Sequence, residues 1–217
     1  MSYLPPPVDP YQTPQYTQPF YPPPPPPPNH SRTVAITLLS VAIALVVLIG
    51  GGTVLYLIGE NEQDARDRIT VSEPTTLNGH DKIEAKELES LTTDLEKELE
   101  GYPGAANAFG AVYGSLEDKK MIAALAAEVD IDDPQRMLDT VFQSFSGESQ
   151  LTGVSPASTG SLGGVAQCGD TVVGKEDVAI CGWADEGSVG MFLYFYETTV
   201  DVKGDFPDMR AEIETKS

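Results

Sequence analysis

Residues 163–197 read "GGVAQCGDTVVGKEDVAICGWADEGSVGMFLYFYE", and this stretch decides the fold. Short apolar blocks interrupted by turn residues are the mark of strands, and three strands with two tight connections are predicted. Gly174 and Lys175 suit a two-residue type II′ turn, with Gly at the first central position. Val173 then faces Glu176, and counting back sets Cys168 opposite Cys181. Two cysteines in register across a hairpin predict a disulfide. Closing a loop of about 14 residues stabilises by roughly 3 kcal/mol in the chain-entropy model. Asp185, Glu186 and Gly187 suit a three-residue connection with Gly187 in the left-handed position, which sets Trp183 opposite Val189. Trp183, Phe192, Tyr194, Phe195 and Tyr196 crowd this meander and read as core rather than as a ligand surface.

Downstream, Asp205, Phe206 and Pro207 open a short C-terminal helix that runs through Glu214. Upstream, residues 147–162 are rich in Gly, Ser, Thr and Pro and read as a linker or long loop. Before them, "VDIDDPQRMLDTVFQSFSG" offers Asp133 as N-cap and Pro134 at the first helical position. Met137, Leu138, Val141, Phe142 and Phe145 form the apolar stripe of that helix. The cluster Asp130, Asp132 and Asp133 could suggest calcium. An EF-hand loop from Asp130 needs Gly sixth and Glu twelfth, where this chain has Gln135 and Val141, so the capping reading is preferred.

Residues 117–128 are rich in Ala and read as another helix, whereas the small residues of 104–114 define no fold by themselves. From Asp81, "DKIEAKELESLTTDLEKELEG" sets Ile83, Leu88, Leu91, Leu95 and Leu99 at helical spacing among charged residues. Gly101 and Pro103 stop it. With fewer than three full heptads, packing on the domain behind it is preferred to a coiled-coil dimer.

Residues 33–59 contain no charged side chain. As a helix, residues 34–58 would span about 37 Å, enough to cross roughly 30 Å of hydrocarbon with some tilt. A cleaved signal peptide fits poorly, because the apolar run is too long and about 32 residues precede it. A retained transmembrane helix is predicted. His30 and Arg32 flank its N-terminal side, and Glu60, Glu62 and Asp64 come first on the other. Arg66 and Arg68 follow and weaken the asymmetry. Both cysteines lie beyond the membrane segment, and a pair suits an oxidising compartment. The N-terminus is therefore expected in the cytosol and the C-terminal region outside.

Residues 1–30 hold 13 of the 18 prolines and four of the nine tyrosines. With almost no aliphatic residue to bury, such a tail is expected to be disordered. Pro22, Pro23, Pro24, Pro25, Pro26, Pro27 and Pro28 should hold a polyproline II rod roughly 22 Å long. Two readings stand: a docking strip for an aromatic-lined groove, or a spacer without a fixed partner.

Acidic residues number 33 against 13 basic, for a net charge of −20. Residues 1–59 carry only Asp9 and Arg32, so the whole excess sits on residues 60–217. A region this acidic is repelled by phosphate backbones, which argues against nucleic acid as a partner.

Catalytic patterns are scarce. His80 is the one histidine beyond the membrane segment, and a triad built on it would need a flexible segment to fold back onto the domain. Two cysteines 13 positions apart with one histidine make no zinc site, and there is no C-x-x-C pair. "LGGVAQCG" lacks the G-x-G-x-x-G spacing and a following helix. No carboxylate pair is singled out for glycoside hydrolysis. No catalytic, cofactor-binding or metal-ligating residue is therefore assigned.

The segment "GGVAQCGDTVVGKEDVAICGWADEGSVG", after a Pro- and Tyr-rich start and one anchor helix, resembles uncharacterised actinobacterial (streptomycete-type) membrane proteins. The resemblance rests on Cys168, Cys181, Trp183 and Asp185, with Ser188 and Gly190 following and Gly187 between. It implies a bacterial plasma membrane and an outward C-terminal domain, and it assigns no activity.

The sequence thus predicts an α+β protein in four parts. These are a disordered cytosolic tail (1–32), a transmembrane helix (33–59), a tether (60–80) and an acidic extracytoplasmic domain (81–217). That domain should hold helices, then an antiparallel β-meander and a C-terminal helix. The function expected is a non-catalytic envelope interaction or sensing module, with the lipid bilayer and one or more proteins as partners. A cytosolic adaptor acting through the polyproline tail is the alternative, and a wall-active enzyme is a third reading. Homo-oligomerisation is not indicated.

Overall fold

The computed structural model describes residues 69–84, 93, 105–115, 117–146, 151–173 and 175–217. The tail, the apolar segment 33–59, residues 60–68 and most of the leucine-spaced stretch lie outside the described residues. No helix among the described residues is long and apolar enough to cross a membrane.

The chain enters the fold at β1 (Ile69–Val71), followed by β2 (Thr76–Leu77) and β3 (His80–Asp81). Then come β4 (Ala106–Ser115), β5 (Lys120–Glu128) and helix α1 (Pro134–Ser146). Next are β6 (Thr152–Pro156), β7 (Val165–Val173), β8 (Glu176–Ala184) and β9 (Ser188–Phe195). Helices α2 (Thr199–Val202) and α3 (Phe206–Ile213) lead into β10 (Glu214–Lys216). The centre is a six-stranded antiparallel sheet of order β4-β5-β9-β8-β7-β6. An α+β architecture with a β-meander at β7–β8–β9 is therefore present.

Side-chain alternation gives the sheet two apolar faces. One carries Met121, Leu125, Val178, Ile180, Leu193 and Phe195, and α1 packs on it over β7 and β8 through Met137, Leu138 and Phe142. The other carries Ile122, Ala124, Cys181, Trp183, Phe192 and Tyr194, covered by Val71, Leu77, Val202, Phe206, Met209 and Ile213. Gly182 permits the approach of α1: a Cβ there would lie 2.9 Å from a Phe142 ring carbon.

The β7–β8 hairpin has the expected register, with Val173 opposite Glu176 and Cys168 opposite Cys181. The two cysteines form a disulfide that is fully buried. The capping of α1 also matches expectation, since Arg136 N donates to Asp133 Oδ1 at 3.0 Å. Helix α3 begins behind Asp205, as its Pro207 suggested.

Several expectations are corrected. Residues 120–128 are a strand, not a helix. Met121–Ala127 is an unbroken buried run, and a central strand covered on both faces takes such a run, with alanine sparing room for the neighbouring layers. Burial between β4 and β9 thus overrides the helix propensity of alanine. Residues 152–156, read as linker, form the edge strand β6, whose Val154 and neighbouring Leu151 fill the space over Gly169. Residues 69–80, read as the end of a tether, carry β1 to β3. Val71 and Leu77 are buried there, and the Tyr113 hydroxyl donates to Pro74 O at 2.8 Å. Asp81 belongs to β3 instead of starting a helix, and Ile83 N donates to Val112 O at 2.7 Å.

The β8–β9 connection differs by one residue from expectation. Asp185 N donates to Ser188 O at 2.9 Å, so Glu186 and Gly187 form a two-residue loop. Ala184 faces Val189, and Trp183 faces Gly190 rather than Val189. A one-residue slip turns every side chain of a strand to the other face. The observed register therefore places Phe192 and Tyr194, and not Leu193 and Phe195, with Trp183 and the disulfide.

Candidate functional site

Two places concentrate polar chemistry. The first lies where the β8–β9 loop meets the end of α3. Arg210, one turn before the end of that helix, is fully buried. Its Nη2 donates to Asp185 Oδ2 at 2.8 Å and to Glu214 Oε1 at 2.9 Å. Its Nε reaches Glu214 Oε2 at 3.1 Å, and its Nη1 reaches Gly163 O at 2.7 Å. Glu214 Oε2 also accepts from Trp183 Nε1 and from Ser188 Oγ, each at 2.8 Å. Asp185 Oδ1 accepts the backbone N–H of Gly187 at 2.9 Å and of Ser188 at 2.8 Å. Burial pushes the Glu214 carboxyl up from its ordinary value, and nearby Asp185 adds to this, against the pull of Arg210.

Every named group in this cluster is committed to another, and the arrangement works as a clasp. It ties α3 and β10 to the meander. The Cys-x-Trp-x-Asp residues thereby gain a structural account. Cys181 bridges to Cys168, and the Trp183 ring sits 5.3 Å from Phe192 and 6.1 Å from Phe206. Asp185 folds the loop, Gly187 donates to it, and Gly190 makes room for the indole. A similar tie forms nearby, where Glu128 Oε1 accepts Val71 N at 2.9 Å and Asn107 Nδ2 at 2.7 Å.

The second place is open. A cleft of about 150 Å³ lies between the β2–β3 hairpin, the start of β5, the end of β9 and helices α2 and α3. Its polar wall is His80, Lys120, Glu197, Asp201 and Asp205, and its apolar lining includes Ile122, Val202 and Met209. Tyr194 is buried beside it and donates its hydroxyl to Met209 Sδ at 3.4 Å. Burial, with Glu197 and Asp205 nearby, raises the phenol and keeps it protonated. Asn78 N holds the hairpin against α3 through both Glu212 oxygens, each at 3.1 Å.

Glu197 is the half-buried carboxylate of this cleft. Desolvation raises its carboxyl above the ordinary value, Asp201 and Asp205 push the same way, and Lys120 and His80 pull against them. Asp201 is held low by Thr198, whose hydroxyl donates to Oδ2 at 2.6 Å and whose N–H donates at 3.0 Å.

Sequence reasoning placed His80 in a flexible tether; β3 instead holds it at the cleft wall. Lys120, Glu197, Asp201 and Asp205 were not anticipated, because 77 positions separate Lys120 from Glu197 and only the sheet joins them. Arg210 and Glu214 carried a usable signal, a basic and an acidic residue at i and i+4 in an acidic region. Pro22 to Pro28 lie outside the described residues. Among the described residues, no group of three or more His, Cys, Asp or Glu is placed to hold a metal ion.

No family model matches the chain, and no curated protein matches it. Among solved structures, the solution structure of cyanobacterial PsbP (CyanoP) from Synechocystis sp. PCC 6803 aligns at 14% identity and a TM-score of 0.33. The alignment covers 73% of this chain and 98% of that one.

Proposed function

We propose that this chain is a single-pass plasma-membrane protein whose acidic domain acts outside the cytosol as a non-catalytic envelope interaction or sensing module. In this reading residues 33–59 form the membrane helix and residues 1–32 remain in the cytosol. The resemblance to streptomycete-type membrane proteins belongs to the same proposal. The observation that carries it is the fully buried Cys168–Cys181 disulfide, which lies downstream of the charge-free segment. Persistent disulfides belong to oxidising compartments, which supports the outer side for the domain that holds one.

Val200 supplies the test, because it is 90% exposed on α2. A Val200→Cys variant adds one accessible thiol to a chain whose two native cysteines are joined. A membrane-impermeant maleimide should label it in intact cells. Labelling that requires permeabilisation would reverse the orientation and overturn the reading.

The proline run favours a second reading, a membrane-anchored cytosolic adaptor that docks through Pro22 to Pro28. Cross-linking in the native membrane, with and without residues 1–30, separates the two. Partners lost with the tail favour the adaptor; an unchanged set favours the outer module.

A further inference from the structure

The cleft beside Tyr194 is lined by side chains of opposite charge that act on one another through space without forming an ion pair. Among the described residues, the side chains of His80, Lys120, Glu197 and Asp205 form no hydrogen bond or ion pair, although they face one space. Polar groups around them are committed. Asp201 holds Thr198, Asp170 takes both the N–H and the hydroxyl of Thr199, and Lys203 reaches Ser155 Oγ at 3.0 Å. The fold engages the polar groups around the cleft and leaves these four unengaged, with His80 and Glu197 half-buried and Lys120 and Asp205 exposed at its mouth.

We propose that this cleft binds a small zwitterion of α-amino-acid size, its ammonium against Glu197 and Asp205 and its carboxylate against Lys120. The site is a feature of the domain itself and stands apart from the membrane reading.

Size sets the first limit. A cavity of about 150 Å³ accommodates a benzene-sized molecule, so the ligand has roughly six heavy atoms. Charge sets the second. A bare anion would meet Glu197, Asp201 and Asp205, and a bare cation would leave Lys120 unanswered. A zwitterion answers both signs in one molecule, and charge-assisted hydrogen bonds are the strong ones. Tyr194 adds a polar atom at the apolar side. Its hydroxyl proton goes to a thioether, a weak acceptor, and its oxygen has no donor among the described residues. Desolvation and the flanking carboxylates raise the Glu197 carboxyl even with Lys120 and His80 pulling against them, and a bound ammonium would relieve that cost further.

The experiment is calorimetric titration of the full chain near neutral pH with glycine, and separately with methylammonium and with acetate, which each carry half of its charge pattern. Glycine should bind at least about ten-fold more tightly than either half. Glu197→Gln and Lys120→Met should each weaken glycine by about ten-fold or more, while Lys120→Met spares or strengthens methylammonium. Urea midpoints of both variants at the same pH confirm that they are folded. Absence of glycine binding by the folded parent chain would overturn the proposal. So would equal affinity for glycine and methylammonium, which would mark a simple cation site, or undiminished glycine binding in both variants. The orientation test on Val200→Cys reads the membrane proposal independently, so either can fail without the other.

Discussion

Trp183 lies directly opposite Gly190 in the β8–β9 ladder, and its indole occupies the space that a side chain at position 190 would fill. A Cβ at Gly190 would fall 2.3 Å from two ring carbons and 2.9 Å from Leu125 O. The ring cannot move aside freely, because its N–H is bonded to Glu214 and its face lies 5.5 Å from the Arg210 guanidinium. One glycine thus permits the ring stack and the clasp together.

Gly190→Ala should therefore destabilise the domain by about 1–3 kcal/mol, the usual range for overpacking a closed core. Urea unfolding followed by the fluorescence of Trp183 reads this directly. An unchanged midpoint would show that the indole has room the packing does not reveal.

Arg210→Met leaves Asp185 and Glu214 buried together without their cation. Breaking a buried pair in this way costs about 3–5 kcal/mol. Arg210→Lys should recover part of the loss at most, because an ammonium cannot reproduce the fork that reaches Asp185, Glu214 and Gly163. Both variants can be compared by thermal and urea unfolding. Full recovery by lysine would mean that charge alone, without the fork geometry, sustains the clasp.

Reduction is expected to weaken the fold by roughly 3 kcal/mol, the chain-entropy value for a loop of about 14 residues. The double variant Cys168→Ala, Cys181→Ala should show a loss of similar size, with a further part from the emptied volume in the core. Midpoints with and without reductant, on the parent chain and on the double variant, separate the two terms. A parent chain insensitive to reductant after full unfolding and refolding would remove the cross-link from the stability account.

Glu197 gives the fold a pH signature of defined sign. Its folded-state value is raised, so between the ordinary carboxylate value and that raised value the folded chain holds more proton than the unfolded chain. Stability from this group is full below the ordinary value and is lost as pH rises through the folded one. Glu197→Gln removes the effect. The variant should be more stable than the parent at neutral pH, with the advantage shrinking as pH falls from the raised value to the ordinary carboxylate value and absent below it. Urea midpoints across that range test it; a difference independent of pH would exclude Glu197 as the source.

Local patterns were legible where chemistry is local. Turn residues set the β7–β8 register and with it the disulfide, and Asp133 with Pro134 announced α1. The β8–β9 loop was harder. Asp185, Glu186 and Gly187 are compatible with two or three loop residues, and the choice is made by Asp185 Oδ1 taking the N–H groups of Gly187 and Ser188. The strand β5 was misread because alanine carries a helical preference and no signature of what surrounds it. The strand β6 was misread because an edge strand with few apolar residues resembles a loop until its partner is known.

What the sequence determined by itself was the segmentation: the charge-free run, the proline tail, the acidic region, the cysteine pair and the turns that fold the meander. These depend on neighbours within a few residues, or on composition summed over a segment. The tertiary structure decided where β1 to β3 return to the body, that Arg210 closes a clasp on Asp185 and Glu214, and that His80, Lys120 and Glu197 share one cleft. Those groups meet only through the sheet order and the packing of α2 and α3 upon it. Sheet order is a global minimum over many pairings, and no single stretch of the chain carries the information to choose it.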